Sequence, residues 1–174
     1  EVHSLAAEYG VHAAFACEAA PDAGVLAGLC DTLAAALDES GQRKLLEIAQ
    51  QEAAVVFDSS YEGIIIVTPD LRISKINSAF TRITGYTEAE AVGQTSNLLA
   101  SGRHDAHFYH TMWRQIRQQD FWRGEIWNKR KNGEIYPNWL TISAVRNSDN
   151  LITHFVAVFS DISSLKHAQA RLDH

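Results

Sequence analysis

The sequence predicts an α+β fold: a five-stranded antiparallel sheet with helices on one face, preceded by a helical extension. Three observations carry the prediction. Residues 63–67 and 151–160 are apolar on both faces, as in strands covered from two sides. Residues 122–145 alternate through two long strands around a turn at Lys131-Asn132-Gly133. Between the first strands and that hairpin, the apolar period changes from two to that of helices.

The elements follow in order. Residues 1–42 are Ala-rich, with Leu5, Tyr9, His12 and Phe15 at helical spacing. Pro21-Asp22-Ala23-Gly24 breaks that pattern, and Leu26, Leu29, Leu33 and Leu37 resume it. This predicts a helical hairpin or the tail of an upstream domain, ended by Ser40-Gly41. An amphipathic helix over 43–58 carries Leu45, Ala49, Val56 and Phe57. A central strand (63–67), a turn at Thr68-Pro69-Asp70 and an edge strand (72–76) come next. Short helices occupy 77–102 and a longer one 104–119. After the hairpin, Asn147-Ser148-Asp149-Asn150 turns the chain into the last central strand. Asp161 is placed to cap a final helix bearing Leu165 and Leu172, one heptad apart.

The hairpin register is set by the turn. A two-residue Asn-Gly loop would oppose Trp122 to Ser143. A three-residue loop with Gly133 left-handed opposes Trp122, Ile126 and Asn128 to Ile142, Asn138 and Tyr136. The second register gathers Trp122, Ile126, Leu140, Ile142 and Ala144 on one face, and is the one expected. That face also holds two amides, Asn128 and Asn138. An apolar wall with a few placed polar groups suits a planar, heteroatom-rich ligand. The competing reading is a core hairpin with polar positions near its mouth. On the opposite face, Trp127 and Trp139 are near neighbours and need a cover.

Composition narrows the function. A net charge of -6 argues against nucleic acid or an anionic membrane as the main partner. No apolar run approaches a membrane span, and no signal-peptide pattern opens the chain. Cys17 and Cys30 do not make a disulfide framework in 174 residues, so a reducing, cytoplasmic setting is expected. Glu1 and the helical ending suggest a piece of a longer protein.

This layout resembles a PAS domain over residues 43–163. Asn77-Ser78-Ala79-Phe80, Ile83-Thr84-Gly85-Tyr86 and Ala91-Val92-Gly93-Gln94 are similar to the family's segments after the second strand. Asp161-Ile162-Ser163 is similar to the ending that couples the last strand to a signalling helix, which residues 164–174 would begin. Arg103-His104-Asp105, Met112-Trp113, Trp122-Arg123-Gly124 and the tract 128–133 resemble the flavin-binding PAS domains of aerotaxis receptors and nitrogen-fixation redox regulators. The same tract is widespread in PAS domains of cyclic-di-GMP signalling proteins. Gln118-Gln119 departs from the Gly usual before the aromatic-Trp pair.

The resemblance implies FAD as cofactor, with Asn77, Trp113, Trp122 and Asn128 around it. An amide can satisfy both the carbonyls and the ring N–H of an isoalloxazine edge. Asn77 also suits a helix cap, and buried tryptophans also serve as core. His104, His107 and His110 diverge too far around one helix for a shared metal. His107 sits where haem-binding members hang iron, so haem through His107 is the alternative, and no cofactor at all is the other. Ser96 occupies the place of the flavin-reacting Cys of photoreceptor members. No enzyme motif is present. The expectation is a cytoplasmic sensory module relaying to an effector in the same chain, a cyclic-di-GMP enzyme or a kinase. A homodimer through the terminal helices and the outer sheet face is expected with it.

Overall fold

A computed structural model describes residues 23–172, with side chains from residue 28 onward. The predicted break at Pro21 and the thiol of Cys17 lie outside the described residues. The chain divides after Ala49 into two compact units.

The first described element corrects the sequence reading. Helix α1 runs unbroken over Ala23–Ser59, straight through Ser40-Gly41. A Gly costs a helix interior only about 1 kcal/mol relative to Ala, and the Ala, Leu, Glu, Gln and Lys around it are strong helix formers. The side chains of residues 28–56 are all exposed. On the apolar stripe expected over 43–58, Leu45 and Val56 are each 69% exposed, and only Phe57 is half-buried.

The second unit is the predicted sheet. Strands β1 (Gly63–Val67), β2 (Ile73–Ile76), β3 (Phe121–Lys129), β4 (Ile135–Arg146) and β5 (Ile152–Asp161) are ordered β2-β1-β5-β4-β3. Every neighbouring pair is antiparallel. The strands predicted to be central are central, and β2 is an edge. Between β2 and β3 lie α2 (Ser78–Thr84), α3 (Glu88–Ala91), a 3-10 turn (Ser96–Leu99) and α4 (Ala106–Gln119); α5 (Ser163–Leu172) follows β5.

The core lies between the sheet's inner face and α2–α4. Ile65, Val67, Ile126, Leu140, Ile142, Phe155 and Phe159 come from the strands, and Phe80, Leu99, Met112 and Ile116 from the other side. Gly63 is required by this packing. It pairs with Phe159, and a Cβ at Gly63 would stand 2.2 Å from the ring. The Phe159 ring also meets Phe80 edge-on at 6.0 Å.

The hairpin adopts the three-residue register. Trp122 pairs with Ile142, Ile126 with Asn138 and Asn128 with Tyr136, with Gly133 at φ 90°. The outer face keeps its apolar character: Ile64, Ile66, Val156 and Val158 are half-buried and Trp139 is 46% exposed.

Candidate functional site

A cavity of ≈ 120 Å³ lies between the sheet and the helical layer. Its walls include Trp113 and Tyr109 from α4, Ser96, Asn97 and Ala100 from the preceding segment, and Asn128, Ile126 and Leu140 from the hairpin. Helix α4 reaches it because Tyr109, Met112, Trp113 and Ile116 share one face. That helix is set by Asp105, whose Oδ1 accepts from the Phe108 N–H at 2.8 Å. It ends at Asp120, left-handed at φ 62°, whose N–H donates to the Ile116 carbonyl at 2.9 Å. Aspartate tolerates that conformation, so the chain exits the helix without the expected Gly.

The buried amides differ sharply. Asn77 is fully spent on the fold. Its Oδ1 accepts from Ile64 N–H (2.9 Å) and Phe80 N–H (3.0 Å), while its Nδ2 donates to the Phe57 and Glu62 carbonyls, both at 2.9 Å. An amide offers two acceptor and two donor positions, and all four are used. The ligand role expected for Asn77 is therefore replaced by a structural one: it caps α2 and ties that helix to the end of α1 and the start of β1.

Asn138 is the opposite case. It is 0% exposed, on the inner face opposite Ile126, yet neither atom of its amide has a hydrogen-bond partner. The Tyr136 hydroxyl, one pleat away, is likewise buried and unpartnered. Burial pushes that phenol up to about 12, against the pull of the Arg130 guanidinium lying 3.8 Å from its ring centre. The Asn128 amide across the strand also draws it down, without closing a bond to the hydroxyl. Unsatisfied buried amides are rare and costly, about 1–3 kcal/mol each. Asn128 is the amide that lines the cavity; Asn138 and Tyr136 share its face of the sheet but do not line the cavity.

Of the other expected residues, Trp113 lines the cavity and meets Phe155 edge-on at 5.2 Å. Trp122 does not line it. Its indole lies over Gly124, where a Cβ would stand 2.8 Å from the ring, and edge-on to Phe108. His107 is exposed on α4, away from the cavity-facing residues, which removes the haem alternative through it. Among the described residues, no three His, Cys, Asp or Glu side chains gather to hold a metal.

Sequence reasoning left Asn138 as a wall residue and missed His104. The His104 Nε2 accepts from the Trp127 backbone N–H at 2.9 Å, and its ring stacks on Phe108 at 4.1 Å. Its spacing from His107 and His110 gave no sign of this, because the partner is a backbone group 23 residues away.

A second constellation links the site to the chain's end. Arg130, in the β3–β4 turn, bonds Glu134 (3.0 Å), the Ile83 carbonyl and Asp161. Asp161 also accepts from the Ser163 N–H at 2.8 Å and from its hydroxyl at 2.6 Å, capping α5. Burial raises the Asp161 pKa, but the bonds from Arg130 and Ser163 outweigh it and hold the carboxyl below its ordinary value. Glu125 and Glu134 are no catalytic pair. Each faces a cation, Lys166 at 2.7 Å and Arg130 at 3.0 Å.

An antiparallel sheet thus walls a small interior against short helices, and a capped helix leaves its last strand. A family model described as PAS domain matches residues 62–164, and the chain belongs to the PAS family. It is 31% identical over 128 residues to the nitrogen fixation regulatory protein of Klebsiella oxytoca, covering 72% of this chain and 26% of that protein. It is 29% identical over 100 residues to the aerotaxis receptor of Escherichia coli, covering 56% and 19%. An RNA-binding light-oxygen-voltage receptor superposes with TM-score 0.64 at 26% identity, covering 75% of this chain and 37% of that one. The chain thus spans about a quarter or less of these two regulatory relatives. No described helix is long and apolar enough to cross a membrane.

Proposed function

We propose that this chain is a redox-sensing PAS module that binds FAD in the sheet-side cavity and reports to an effector domain through α5. The observation that supports it best is the Asn128 amide, which lines the cavity, with the unpartnered Asn138 amide on the same face of the sheet, outside the present lining. The edge of an isoalloxazine alternates carbonyl acceptors with a ring N–H, the pattern two amides can meet. The resemblance of residues 98–145 to flavin-binding PAS domains points the same way. The present ≈ 120 Å³ is below the usual range of ligand pockets, about 300–1,000 Å³, so binding requires the wall of residues 96–113 to move outward.

When bound, the flavin supplies two-electron redox chemistry. The protein's part is to hold its polar edge with Asn128 and Asn138 and to keep water away with Trp113 and Ile126. A changed hydrogen-bond demand at Asn128 reaches Tyr136 across the strand pair. Tyr136 lies under Arg130, and Arg130 holds Asp161, the cap of α5. The effector this helix serves is a cyclic-di-GMP enzyme or a kinase, in a cytoplasmic protein. A second reading is favoured by the small volume: a ligand-free relay module whose interior is filled by Trp113 and its neighbours.

Asn138→Leu separates the two readings, because they predict changes in opposite properties. Removing an unpartnered buried amide should leave the apo protein as stable as wild type or more so, by up to about 2 kcal/mol, while abolishing retention of added FAD. Thermal melts with and without FAD, and the visible absorption of the reconstituted protein, read both. Loss of apo stability with no flavin uptake by wild type would overturn the flavin reading.

A further inference from the structure

We infer that a second cleft, between the end of α2 and the β3–β4 turn, binds a small molecule through a diphosphate group, and that its occupancy loosens the cap of α5. This does not rest on the flavin reading. The cleft has a volume of ≈ 500 Å³, within the usual range of ligand sites, about 300–1,000 Å³. One wall is residues 82–85; the other is Arg130, Lys131 and Asn132. Three of these seven residues are cations and none is an acid, in a chain of net charge -6.

The walls are tied in place. The Lys131 N–H donates to the Thr84 carbonyl at 2.8 Å, and the Arg130 guanidinium donates to the Ile83 carbonyl. Gly85 is left-handed at φ 82°, and a Cβ there would stand 3.4 Å from that of Lys131. A helix end ordinarily repels anions through its free carbonyls. Here four of the last five in α2 are occupied: those of Ile83 and Thr84 as described, that of Phe80 by the Thr84 hydroxyl (2.8 Å) and that of Thr81 by the Gly85 N–H (2.9 Å).

The three cations are spent to different degrees. Arg82 makes one long bond, to the Ser60 carbonyl at 3.4 Å, and among the described residues no carboxylate pairs with it. Lys131 pairs with Glu90, with side chains 49% and 41% exposed, and pairs so exposed exchange partners at little cost. Lys131, and after it the Thr87 N–H, hold the Glu90 carboxyl down to about 2, so Glu90 is the anion that a ligand must displace. Arg130 bonds Glu134, Ile83 and Asp161, which leaves two of its five N–H groups. Guanidinium forks match phosphoryl oxygens in geometry and charge. No aromatic side chain lines the cleft to stack on a base or a ring, so the phosphoryl oxygens are the part recognised. Arg130 also holds Asp161, the cap of α5. Each anion beside it takes a share of one positive charge, so a bound diphosphate weakens that pair.

Titration calorimetry of the 174-residue chain with sodium pyrophosphate, at constant ionic strength, tests the site. We expect saturable one-to-one binding, weakened about tenfold or more in Arg82→Gln/Lys131→Gln, where two charge-assisted contacts are lost. Glu90→Gln should tighten binding several-fold, because it frees Lys131 while a Gln still accepts from the Thr87 N–H. Both variants change exposed side chains, and an unchanged urea midpoint will show that the fold is intact. Saturating pyrophosphate should also speed amide exchange in the first turn of α5. Absence of saturable binding would overturn the inference, as would equal binding by the double variant, weaker binding by Glu90→Gln, or sulfate bound as tightly as pyrophosphate. Unchanged exchange of α5 in the bound protein would overturn its link to the helix.

Discussion

Asn77 and Tyr136 show how one buried side chain can be read in solution. Asn77→Ala removes four bonds that join α1, β1 and α2, at a cap whose loss alone costs about 0.5–2 kcal/mol. With the freed backbone groups added, we expect a loss of about 3 kcal/mol in urea denaturation, and little effect on ligand uptake. Tyr136 carries a pH signature. Its folded pKa, about 12, exceeds the ordinary value near 10. The folded state holds the proton more tightly, so the stability this provides is complete below about pH 10 and is lost as pH rises toward about 12. Near-UV absorbance titration should show one tyrosine ionising with unfolding, and Tyr136→Phe should remove that alkaline step. The residue scale is also where the sequence was least legible. Asn77 and Asn138 are the same chemical group on the same chain, and only their partners separate a spent amide from a free one.

At the scale of elements, the hairpin was legible because three constraints coincide: period-two alternation, a turn with Gly133, and one apolar face. Helix α1 was misjudged at Ser40-Gly41 because local turn preference is weak against a long run of good helix formers. The exit of α4 was hidden for a related reason, since Asp120 takes the left-handed position usually given to Gly. The junction of β5 and α5 was visible as Asp161-Ile162-Ser163, but its anchor Arg130 lies 31 positions earlier. Asp161→Asn keeps the acceptor for Ser163 and loses the ion pair. For a part-exposed pair we expect a cost of about 1 kcal/mol, with faster amide exchange confined to the first turn of α5. The lowered Asp161 pKa gives the acid counterpart. Its contribution is complete above the ordinary carboxyl value, near 3.9, and is lost as pH falls through the lowered folded value. Exchange of α5 amides measured on acidification should report that step.

For the whole molecule, the sheet and its helices form a unit with its own core, from Gln50 onward. A chain beginning at Gln50 keeps Phe57, whose carbonyl Asn77 needs. We expect it to unfold at the same urea midpoint as the 174-residue chain and to retain any flavin binding. A drop of the midpoint by more than experimental scatter would show that residues 1–49 contribute to the fold. The overall architecture was legible because strand order in such a sheet follows from which strands are apolar on both faces. The cavity was not, because its volume depends on how far α4 stands from the sheet.

The loops beside the two edge strands carry a consequence for what this protein can assemble with. Along β2, Ile73 exchanges backbone bonds with Gln94 and Gly93, both 2.8 Å, and Arg72 bridges Thr95. Along β3, Ala100 bridges Asn128 and the His104 imidazole occupies the Trp127 N–H. Part of the backbone that would template an added strand is thus already engaged on both sides. A sheet whose borders are partly covered in this way is less prone to polymerise edge to edge. The same cover disfavours extended peptides that would bind by adding a strand. Recognition is thereby left to side chains on helices and on the sheet's outer face, where a point substitution can tune it without reopening the border.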